Sequence, residues 1–303
     1  MTSLSIVIAT FNRSQSLLRA LTSFIGQSAP TDQWEIIVVN NNSSDDTEQR
    51  VLEFAEQHPG LPLQMVCETR QGLSYARNCG IEASSAPYIA IIDDDETVNP
   101  DFVRAYIDFF DSHPDAVAAG GRIVPAYEAD PPKWISPYAE RPIANPLDLG
   151  ESVRPFPKDR CPGGGNMGVR RSAIERYGAF DPALGRVGQK LIGGEETDFF
   201  ERLSRSGEPF YYIPQAIIYH HIPPQKLTHD YFVRLCRMVG VSARIRSRQT
   251  ERYSAALAAE AVKWAATLVL ALLYTAKLQP AKAHYLLIMR RQITAGLLGR
   301  TQE

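Results

Sequence analysis

Short apolar runs alternate with helix-like segments over the first hundred residues of this chain. The strand-like runs are Leu4–Thr10, Glu35–Val39, Leu63–Cys67 and Tyr88–Ile92. The helix-like segments between them cover residues 17–24, 47–57 and 73–83. Strands that alternate with helices predict a parallel, doubly wound α/β sheet, in which ligands bind beyond the carboxyl ends of the strands.

Polar clusters follow three of these strand-like runs. They are Asn12-Arg13, Asn40-Asn41-Asn42 and Asp93-Asp94-Asp95-Glu96. Because the carboxyl ends of parallel strands meet at one edge of a sheet, we expect the three clusters to line one cleft, as the binding of a nucleotide requires.

The acidic cluster carries the most specific chemistry. Four consecutive carboxylates repel one another, so they are stable either in solvent or around a cation. Strand alternation predicts that Asp93 and Asp95 converge on one face while Asp94 turns away. Oxygen ligands of this kind suit Mg²⁺ or Mn²⁺ shared with a diphosphate. The alternative interpretation is a solvated acidic turn.

The charge of the chain divides into two unlike parts. The sequence holds 32 basic and 34 acidic residues, a formal net charge of −2. Residues 226–303 hold 13 of the basic and 4 of the acidic residues, a net of +9, which leaves −11 for residues 1–225. A basic segment on an acidic body predicts an anionic partner for that segment, either nucleic acid or a membrane surface.

Cysteine spacing and apolar run lengths exclude several classes of protein. The four cysteines have no C-x-x-C spacing, so they predict neither a zinc set nor a disulfide framework. No basic region precedes the first apolar run, and we expect no signal peptide. The longest uncharged apolar run covers residues 264–276, which is shorter than the roughly 20 residues that cross a bilayer. We therefore expect no clean transmembrane helix.

Seven sequence blocks, in order over about residues 3–221, resemble family 2 glycosyltransferases. SIVIATFNR, EIIVVNNNSSDDT, GLSYARNCGI and YIAIIDDDE are similar to the nucleotide-site blocks of that family. CPGGGNMGVRR, GGEETDFFERL and IPQAIIYHH are similar to its acceptor-side, catalytic-acid and closing-strand blocks. The resemblance implies a GT-A fold, a doubly wound and mostly parallel sheet, here with a C-terminal helical extension.

The same resemblance implies a domain organisation. Residues 1–225 would form the catalytic domain, with a donor-binding half at about 1–120 and an acceptor half at about 121–225. The charge and apolar pattern of residues 226–303, which lie beyond the resemblance, predict a basic, amphipathic, membrane-associating region there.

The resemblance also implies which residues contact a nucleotide-diphosphate sugar. The implied donor-binding residues are Thr10, Asn12, Arg13, Asn40, Arg77, Asn78, Asp93, Asp94 and Asn166. Asn40 stands where the family usually has an aspartate that contacts the base, and an amide both donates and accepts, so a preference for uracil is less secure. The alternatives are a surface charge and a cap for Arg77 and Asn78, and a flexible turn for Asn166 after three glycines.

A metal site and a candidate acceptor contact are implied in the same way. Asp93 and Asp95 match the DxD motif that holds Mn²⁺ or Mg²⁺, with Asp95 as the direct ligand. Some relatives use a histidine after the closing strand as a third ligand, which here implies His220, with a structural histidine as the alternative. Trp134 could stack on an acceptor sugar or anchor its own loop.

An inverting transfer needs a carboxylate that takes the proton of the acceptor hydroxyl. The family has Glu-Asp at this place, with the aspartate as base, whereas this chain has Glu195-Glu196. The resemblance therefore implies Glu196 as the base, and Glu195 or Asp198 could share the role. The alternative interpretation is a helix N-terminus enriched in acids that suit its dipole.

The basic C-terminal region predicts three helices, at about 227–247, 252–277 and 281–298. Arginines precede its most apolar part, which Trp264 and Tyr274 flank. This pattern is typical of helices that lie in a membrane interface. A helical subdomain, packed on the body or forming a dimer, is the alternative. No nucleic-acid-binding motif accompanies the charge, so we expect no nucleic-acid partner.

Together these features predict an inverting, metal-dependent glycosyltransferase. Its donor would be a nucleotide sugar, a UDP-sugar before other bases, and its acceptor a glycan or a polyprenyl-linked oligosaccharide in surface polysaccharide biosynthesis. We expect it in the cytoplasm, peripheral on the inner face of the cell membrane. The alternatives are a nucleotidyltransferase, whose usual Gly-rich phosphate loop is missing from ATFNRS, and a non-catalytic, membrane-bound sugar-nucleotide-binding protein.

Overall fold

Residues 2–158, 160–188 and 191–300 are described by the structure, a computed structural model. The chain divides into two units. The first unit comprises Met1–Val124, Leu147–Gly188 and Glu195–His221, and the second comprises Pro125–Pro146, Gln189–Gly194 and Ile222–Glu303.

The first unit is built on four parallel strands. These are β1 (Leu4–Thr10), β2 (Trp34–Asn40), β3 (Leu63–Cys67) and β4 (Tyr88–Asp93), in the sheet order β3-β2-β1-β4. The helices between them are α1 (Ser14–Thr22), α2 (Thr47–Gln57) and α3 (Leu73–Ala83). All four strands lie within a residue of the predicted runs.

Alternate residues of the central strands enter two different cores. Ile6 and Ile8 of β1 belong to one hydrophobic cluster, while Val7 and Ala9 belong to another. Every residue of β1 is buried. A strand covered by helices on both faces has no solvent-exposed face, which is why its sequence is largely apolar rather than alternating. The predicted doubly wound sheet is confirmed.

The sheet continues beyond β4 with antiparallel neighbours. The next elements are β5 (Glu96–Val98), α4 (Phe102–Ser112), β6 (Ala118–Tyr127), α5 (Pro137–Ala144), β7 (Arg154–Pro155), β8 (Met167–Arg170), α6 (Arg171–Tyr177), α7 (Glu195–Arg205) and β9 (Phe210–Ile222). The sheet order runs β4-β8-β6-β9-β5, with β7 paired to β9. β8 is antiparallel to both β4 and β6, and β5 is antiparallel to β9.

The closing strand differs from its predicted form. The sequence indicates two strands, Phe210–Ile213 and Ala216–His221, but β9 is continuous through Pro214. β9 pairs with β7 at Tyr211 and Tyr212 and with β5 from Ile218 onward. Pro214 lies between these paired segments, where its missing N–H removes no ladder bond to either strand.

The second unit is helical. Besides α5 it contains α8 (His229–Gln249), α9 (Tyr253–Ala276) and α10 (Pro280–Leu298). α8 and α10 pack closely at two glycines: a Cβ on Gly240 would lie 2.0 Å from Ile293 O, and one on Gly296 would lie 2.1 Å from Arg237 O. The predicted C-terminal helical extension is confirmed.

Residues 125–146 group with these helices rather than with the first unit. Trp134 is buried and stacks on Tyr285 of α10 at a ring-centroid distance of 4.1 Å. Ile143 of α5 enters the same core as Phe232 of α8. In the structure Trp134 therefore anchors its loop. The boundary that we predict at residue 225 assigns this segment to the catalytic domain. The sequence does not reveal its packing with the C-terminal helices, because Trp134 contacts a residue about 150 positions away.

Among the described residues, α9 is the one helix whose length and apolar composition would allow it to cross a membrane. We expect no clean transmembrane helix because the uncharged apolar run, residues 264–276, is short. The helix is longer than this run. An alanine-rich stretch before Lys263 extends the helix to 24 residues.

Candidate active site

Parallel pairing brings the polar strand ends to one edge of the sheet. Thr10 at the end of β1 pairs with Asn40 at the end of β2, and Ala9 pairs with Asp93 at the end of β4. The residues that follow these strands therefore start from neighbouring positions, as the sequence predicts.

Arg13 binds two of the acids that follow β4. Its Nη1 atom donates to Asp94 Oδ1 at 2.9 Å and to Asp95 Oδ2 at 3.1 Å. Thr10 Oγ1 donates to Asp94 Oδ2 at 2.8 Å. Burial raises the pKa of the Asp94 carboxyl to about 6, and the Arg13 guanidinium opposes that rise. Asp94 is thus held inside the site by Thr10, the last residue of β1, and by Arg13, which follows that strand.

The acids do not follow the predicted strand alternation. β4 ends at Asp93, and Asp94 and Asp95 form the turn that leads into β5. Asp94 and Asp95 consequently share Arg13, whereas Asp93 Oδ1 accepts a hydrogen bond from Arg77 Nη2 at 2.8 Å. The prediction that Asp94 turns away from its neighbours is wrong because residues in a turn do not keep the two-residue period of a strand.

Arg77 of α3 is fully buried and connects three parts of the site. Besides Asp93, it donates from Nη1 to Glu195 Oε1 at 2.7 Å and from Nη2 to the carbonyl oxygen of Gly164 at 3.0 Å. A guanidinium offers several donors in a fixed plane, so one side chain can hold a strand end, a helix start and a glycine loop together. The alternative role of a surface charge is excluded by its burial.

Glu195 and Glu196, the first residues of α7, differ in exposure. Glu195 is buried, and its Oε2 atom has no hydrogen-bond partner in the described part of the chain. Burial raises the pKa of the Glu195 carboxyl to about 7, with the Glu196 charge acting in the same direction and Arg77 against it. Glu196 is half-buried. Of the two, Glu196 is the carboxylate that solvent reaches.

The third acid of α7 is engaged elsewhere. Asp198 Oδ2 accepts from Arg202 Nε at 3.0 Å, one helical turn further on. Arg202 also donates to the carbonyl oxygens of Tyr177 and Ala179, so this pair joins α7 to the end of α6.

The three predicted metal ligands are not gathered into one cluster. His220 Nε2 lies 3.7 Å from Asp95 Oδ1. Their approach follows from the pairing of β5 with β9, in which Glu96 stands opposite His220. Asp93 is turned towards Arg77 instead. Within residues 2–158, 160–188 and 191–300, no three His, Cys, Asp or Glu side chains are arranged to hold a metal ion.

Asn12 connects the segments that follow β1 and β2. It has a left-handed backbone with φ of 52°. Its Oδ1 atom accepts from the backbone N–H of Ser44 at 2.7 Å, and its own N–H donates to Ser43 Oγ at 3.0 Å. Asn40 Oδ1 accepts from the N–H of Ser43 at 3.0 Å. Asn12 and Asn40, two of the four asparagines predicted to bind the donor, thus shape this corner of the site.

Asn78 and Asn166 have structural hydrogen bonds. Asn78 exchanges two hydrogen bonds with the backbone of Phe180. Asn166 is buried, and its Oδ1 accepts from Tyr106 Oη at 2.7 Å. Its Nδ2 donates to the carbonyl oxygens of Arg122 and Ala216, each at 2.9 Å. Asn166 therefore connects β6, β9 and α4, and the alternative of a flexible turn does not describe it.

Two buried residues of the site were missed by the sequence reasoning. Asn41 donates from Nδ2 to the carbonyl oxygens of Glu68 and Arg70 and accepts from the N–H of Gly72. Glu96 accepts from the N–H of Asp93, and burial raises its pKa well above the ordinary value. Their place in the asparagine and acidic runs was the only available signal, because the sequence does not indicate which member of a run points inwards.

Glycines allow the loop before β8 to approach these carboxylates. A Cβ on Gly165 would lie 2.0 Å from Glu96 Oε1. A Cβ on Gly164 would lie 3.3 Å from Arg77 Nη2 and 3.5 Å from Glu196 Cγ. Gly165 of CPGGGN is thus required for close packing against Glu96.

The sequence matches an established family over more than half its length. Residues 5–178 match the sequence model described as Glycosyl transferase family 2. The glucosyl-dolichyl phosphate glucuronosyltransferase of Haloferax volcanii is 28% identical over 251 residues, covering 80% of this chain and 76% of that protein. Chondroitin synthase of Escherichia coli is 26% identical over 255 residues, covering 74% of this chain and 35% of that protein.

Solved structures resemble the whole chain. The mannosyltransferase PcManGT from Pyrobaculum calidifontis, in complex with GDP-Man and Mn²⁺, superposes with a TM-score of 0.65 at 18% identity, covering 98% of this chain and 88% of that one. Staphylococcus aureus TarS 1-349, in complex with UDP-GlcNAc, gives a TM-score of 0.58 at 15% identity, covering 100% and 93%. The predicted GT-A fold is confirmed by these likenesses.

Proposed function

The chain belongs to glycosyl transferase family 2 and is a glycosyltransferase, and we propose that it transfers a sugar, with inversion, from a nucleotide-diphosphate sugar to a hydroxyl of a lipid-linked glycan. One observation carries the proposal. At a single sheet edge, Arg13 and Arg77 hold the acids that follow β4, and Arg77 also holds the start of α7, where Glu196 is accessible.

A divalent cation fits Asp95 and His220. A carboxylate oxygen and an imidazole nitrogen are ligands that Mn²⁺ accepts, and their separation of 3.7 Å lies within the range for two ligands of one ion at about 2.1 Å each. Two protein ligands leave the other coordination positions to water and diphosphate oxygens. When bound, such an ion neutralises negative charge on the departing nucleotide diphosphate. The complex of PcManGT with Mn²⁺ supports this choice.

The two arginines have different tasks in the proposed reaction. Arg13 is partly exposed, so its guanidinium can reach donor phosphates as well as Asp94 and Asp95. Arg77 is buried and keeps Asp93 and Glu195 in fixed positions. We assign Arg13 to donor binding and Arg77 to positioning.

Glu196 is the proposed general base. Its carboxylate is half-buried at the start of α7, beside the backbone of Gly164. Glu195 is held by Arg77 and Asp198 by Arg202, so both have other partners. In a single displacement, Glu196 takes the proton of the acceptor hydroxyl as that oxygen attacks the anomeric carbon from the face opposite the leaving diphosphate.

The acceptor class follows from the relatives and the charge. The Haloferax volcanii relative is named for a glucosyl-dolichyl phosphate substrate, and residues 226–303 carry a net charge of +9. A polyprenyl-linked oligosaccharide in surface polysaccharide biosynthesis fits both. We propose a UDP-sugar as donor, as in the TarS complex, and a peripheral location on the cytoplasmic face of the cell membrane.

Donor binding is tested first, by thermal shift with a panel of UDP- and GDP-sugars, each with Mn²⁺ and with chelator. We expect stabilisation by one nucleotide class that requires the cation and is lost in Asp95→Asn. Stabilisation that survives both chelation and Asp95→Asn would remove the metal from the proposal.

Transfer to polyprenyl-linked glycans then tests the base. Removal of a general base lowers turnover by roughly 10²- to 10⁴-fold, so we expect Glu196→Gln to lose transfer while its donor-induced thermal shift is unchanged. Asp198→Asn, in the same helix turn, is the matched control and should keep transfer. If Glu196→Gln transfers at the wild-type rate, another group is the base. Donor binding without transfer or hydrolysis would favour a non-catalytic sugar-nucleotide-binding protein.

A further inference from the structure

Helix α9 buries the polar side chains of Glu260 and Thr267, while most of its exposed side chains are apolar. Arg290 Nη1 of α10 donates to Glu260 Oε2 at 2.9 Å, and Thr294 Oγ1 donates to Glu260 Oε1 at 2.7 Å. Trp264 Nε1 donates to Thr294 Oγ1 at 2.9 Å, and Thr267 is buried in the same interface. The carboxyl group of Glu260 thus has its hydrogen-bond partners on α10.

The opposite side of α9 is apolar from Ala255 to Ala276. Its exposed residues include Ala255, Val262, Ala266, Val269, Leu272 and Leu273. Val262 and Leu272 are each 71% exposed. In a water-soluble helix these positions are normally polar. The stripe extends over roughly 32 Å at 1.5 Å per residue, a continuous apolar surface of the size that marks an interaction site.

Exposed cations of the second unit identify the kind of partner. Among residues 226–303 they are Arg234, Arg248, Arg252, Lys263, Lys277, Arg291 and Arg300. The net charge of +9 on residues 226–303 opposes pairing of this face with a second copy of the chain. An anionic lipid surface offers acyl chains to the stripe and headgroups to the cations.

The position of Lys263 decides how the helix meets the lipid. Lys263 is exposed and lies near the middle of α9, beside the apolar stripe. A spanning orientation would place its ammonium near the bilayer centre, where a charge is strongly disfavoured. An orientation parallel to the membrane lets the side chain extend to the headgroups at any point along the helix.

We propose that α9 lies in the plane of one anionic leaflet, with the stripe from Ala255 to Ala276 against the acyl chains. This inference deepens the peripheral membrane location proposed above and rests on it, but not on the transfer reaction. It identifies the lipid-facing residues and leaves the Glu260–Arg290 interface facing α10.

Vesicle co-sedimentation of the full-length protein is the first test. Leu273 of α9 and Leu52 of α2 are each 52% exposed, which makes Leu273→Glu and Leu52→Glu a matched pair. With vesicles of phosphatidylglycerol and phosphatidylcholine we expect wild type and Leu52→Glu to bind, and Leu273→Glu to bind at least tenfold more weakly, because a buried leucine side chain contributes at least that factor. Pure phosphatidylcholine should bind wild type more weakly.

Equal binding of the two variants to anionic vesicles would overturn the proposal. So would a wild-type dimer in lipid-free gel filtration that Leu273→Glu converts to monomer without any change in vesicle binding, since a second copy would then cover the stripe. The donor-induced thermal shift is measured on each variant. Its retention shows that weaker vesicle binding is not general misfolding, and its absence in wild type would count against the transfer reaction alone.

The orientation of α9 is tested at the turn that follows it. Leu278 is 89% exposed, so Leu278→Cys should react with a membrane-impermeant maleimide in the absence of vesicles. Peptide mass spectrometry separates this label from that on the native cysteines. With protein added outside sealed vesicles, we expect position 278 to remain reactive. Protection of this position that detergent reverses would mean that α9 crosses the bilayer, and would refute the in-plane orientation.

Discussion

Replacement of Arg77 by methionine should destabilise the first unit strongly and in a pH-dependent way. Arg77→Met keeps an unbranched side chain of similar length but removes the cation from the buried Glu195 carboxylate, 2.7 Å away. Breaking a buried ion pair costs about 3–5 kcal/mol where one charge remains without compensation, so we expect the full loss at alkaline pH, where Glu195 is ionised. Asp93 also loses its partner, but it is partly exposed and water can solvate it.

The pH dependence follows from the raised pKa of Glu195. In the wild type the pKa of this carboxyl is about 7 in the folded state against 4.5 unfolded, so its contribution favours folding at low pH and is lost as the pH rises towards 7. Arg77 lowers that pKa, and its removal raises it further. The variant's Glu195 then takes up a proton at neutral pH. The deficit of Arg77→Met relative to wild type should grow by up to about 1.4 kcal/mol per pH unit above 7.

A double-mutant cycle isolates the interaction energy between Arg77 and Glu195. Arg77→Met leaves the Glu195 carboxylate without a cation, and Glu195→Gln removes that carboxylate. The unfolding free energy lost by the double variant should therefore be at least about 2 kcal/mol smaller than the sum of the two single losses. The difference in unfolding free energy between the double variant and Glu195→Gln should also be the same at pH 6 and pH 8.5, because neither protein has a carboxyl group at position 195.

Urea unfolding followed by the fluorescence of Trp34, which is buried in the first unit, measures these free energies. The tryptophans of the second unit, Trp134 and Trp264, are replaced by phenylalanine in every variant of the series. Losses that add to within about 0.5 kcal/mol, or an Arg77→Met deficit independent of pH, would refute the electrostatic reasoning.

Two further substitutions test packing and hydrogen bonding in the first unit. Gly80→Ala should cost about 1–3 kcal/mol of unfolding free energy, since its Cβ would lie 2.3 Å from Val7 Cγ1 and 2.9 Å from Val39 Cγ2; unchanged urea unfolding would contradict the contact between α3 and the sheet. Tyr106→Phe leaves Asn166 Oδ1 without its 2.7 Å donor and should cost about 1–3 kcal/mol in the same assay, whereas an unchanged midpoint would mean that water replaces the hydroxyl.

The parallel half of the sheet could be predicted because its signals are local. β1 and β2 are covered on both faces, so each is largely apolar and ends at a polar residue, Thr10 or Asn40. The antiparallel half could not. β8 lies between β4 and β6 although about 75 residues separate it from β4, and nothing in MGVR specifies those neighbours.

The candidate site has the same limit. Residue types and order indicate Asp93, Asp95 and Glu196 as candidates, but they do not indicate which side chains these residues contact. Arg77 meets Glu195 across 118 positions of sequence. The inward direction of Asp94 depends on the residue at which β4 stops, and a run of four acids does not indicate that residue.

The hydrogen bonds of Asn12 also restrict which residues can vary independently in this corner of the site. The Asn12 side chain accepts from the backbone N–H of Ser44 and donates from Nδ2 to Ser44 Oγ at 3.3 Å. Because the second bond joins two side chains, a change at position 12 alters which residues suit position 44, and the reverse also holds. In related chains positions 12 and 44 should therefore change together, and a sequence library that varies one segment alone will underestimate the number of functional combinations.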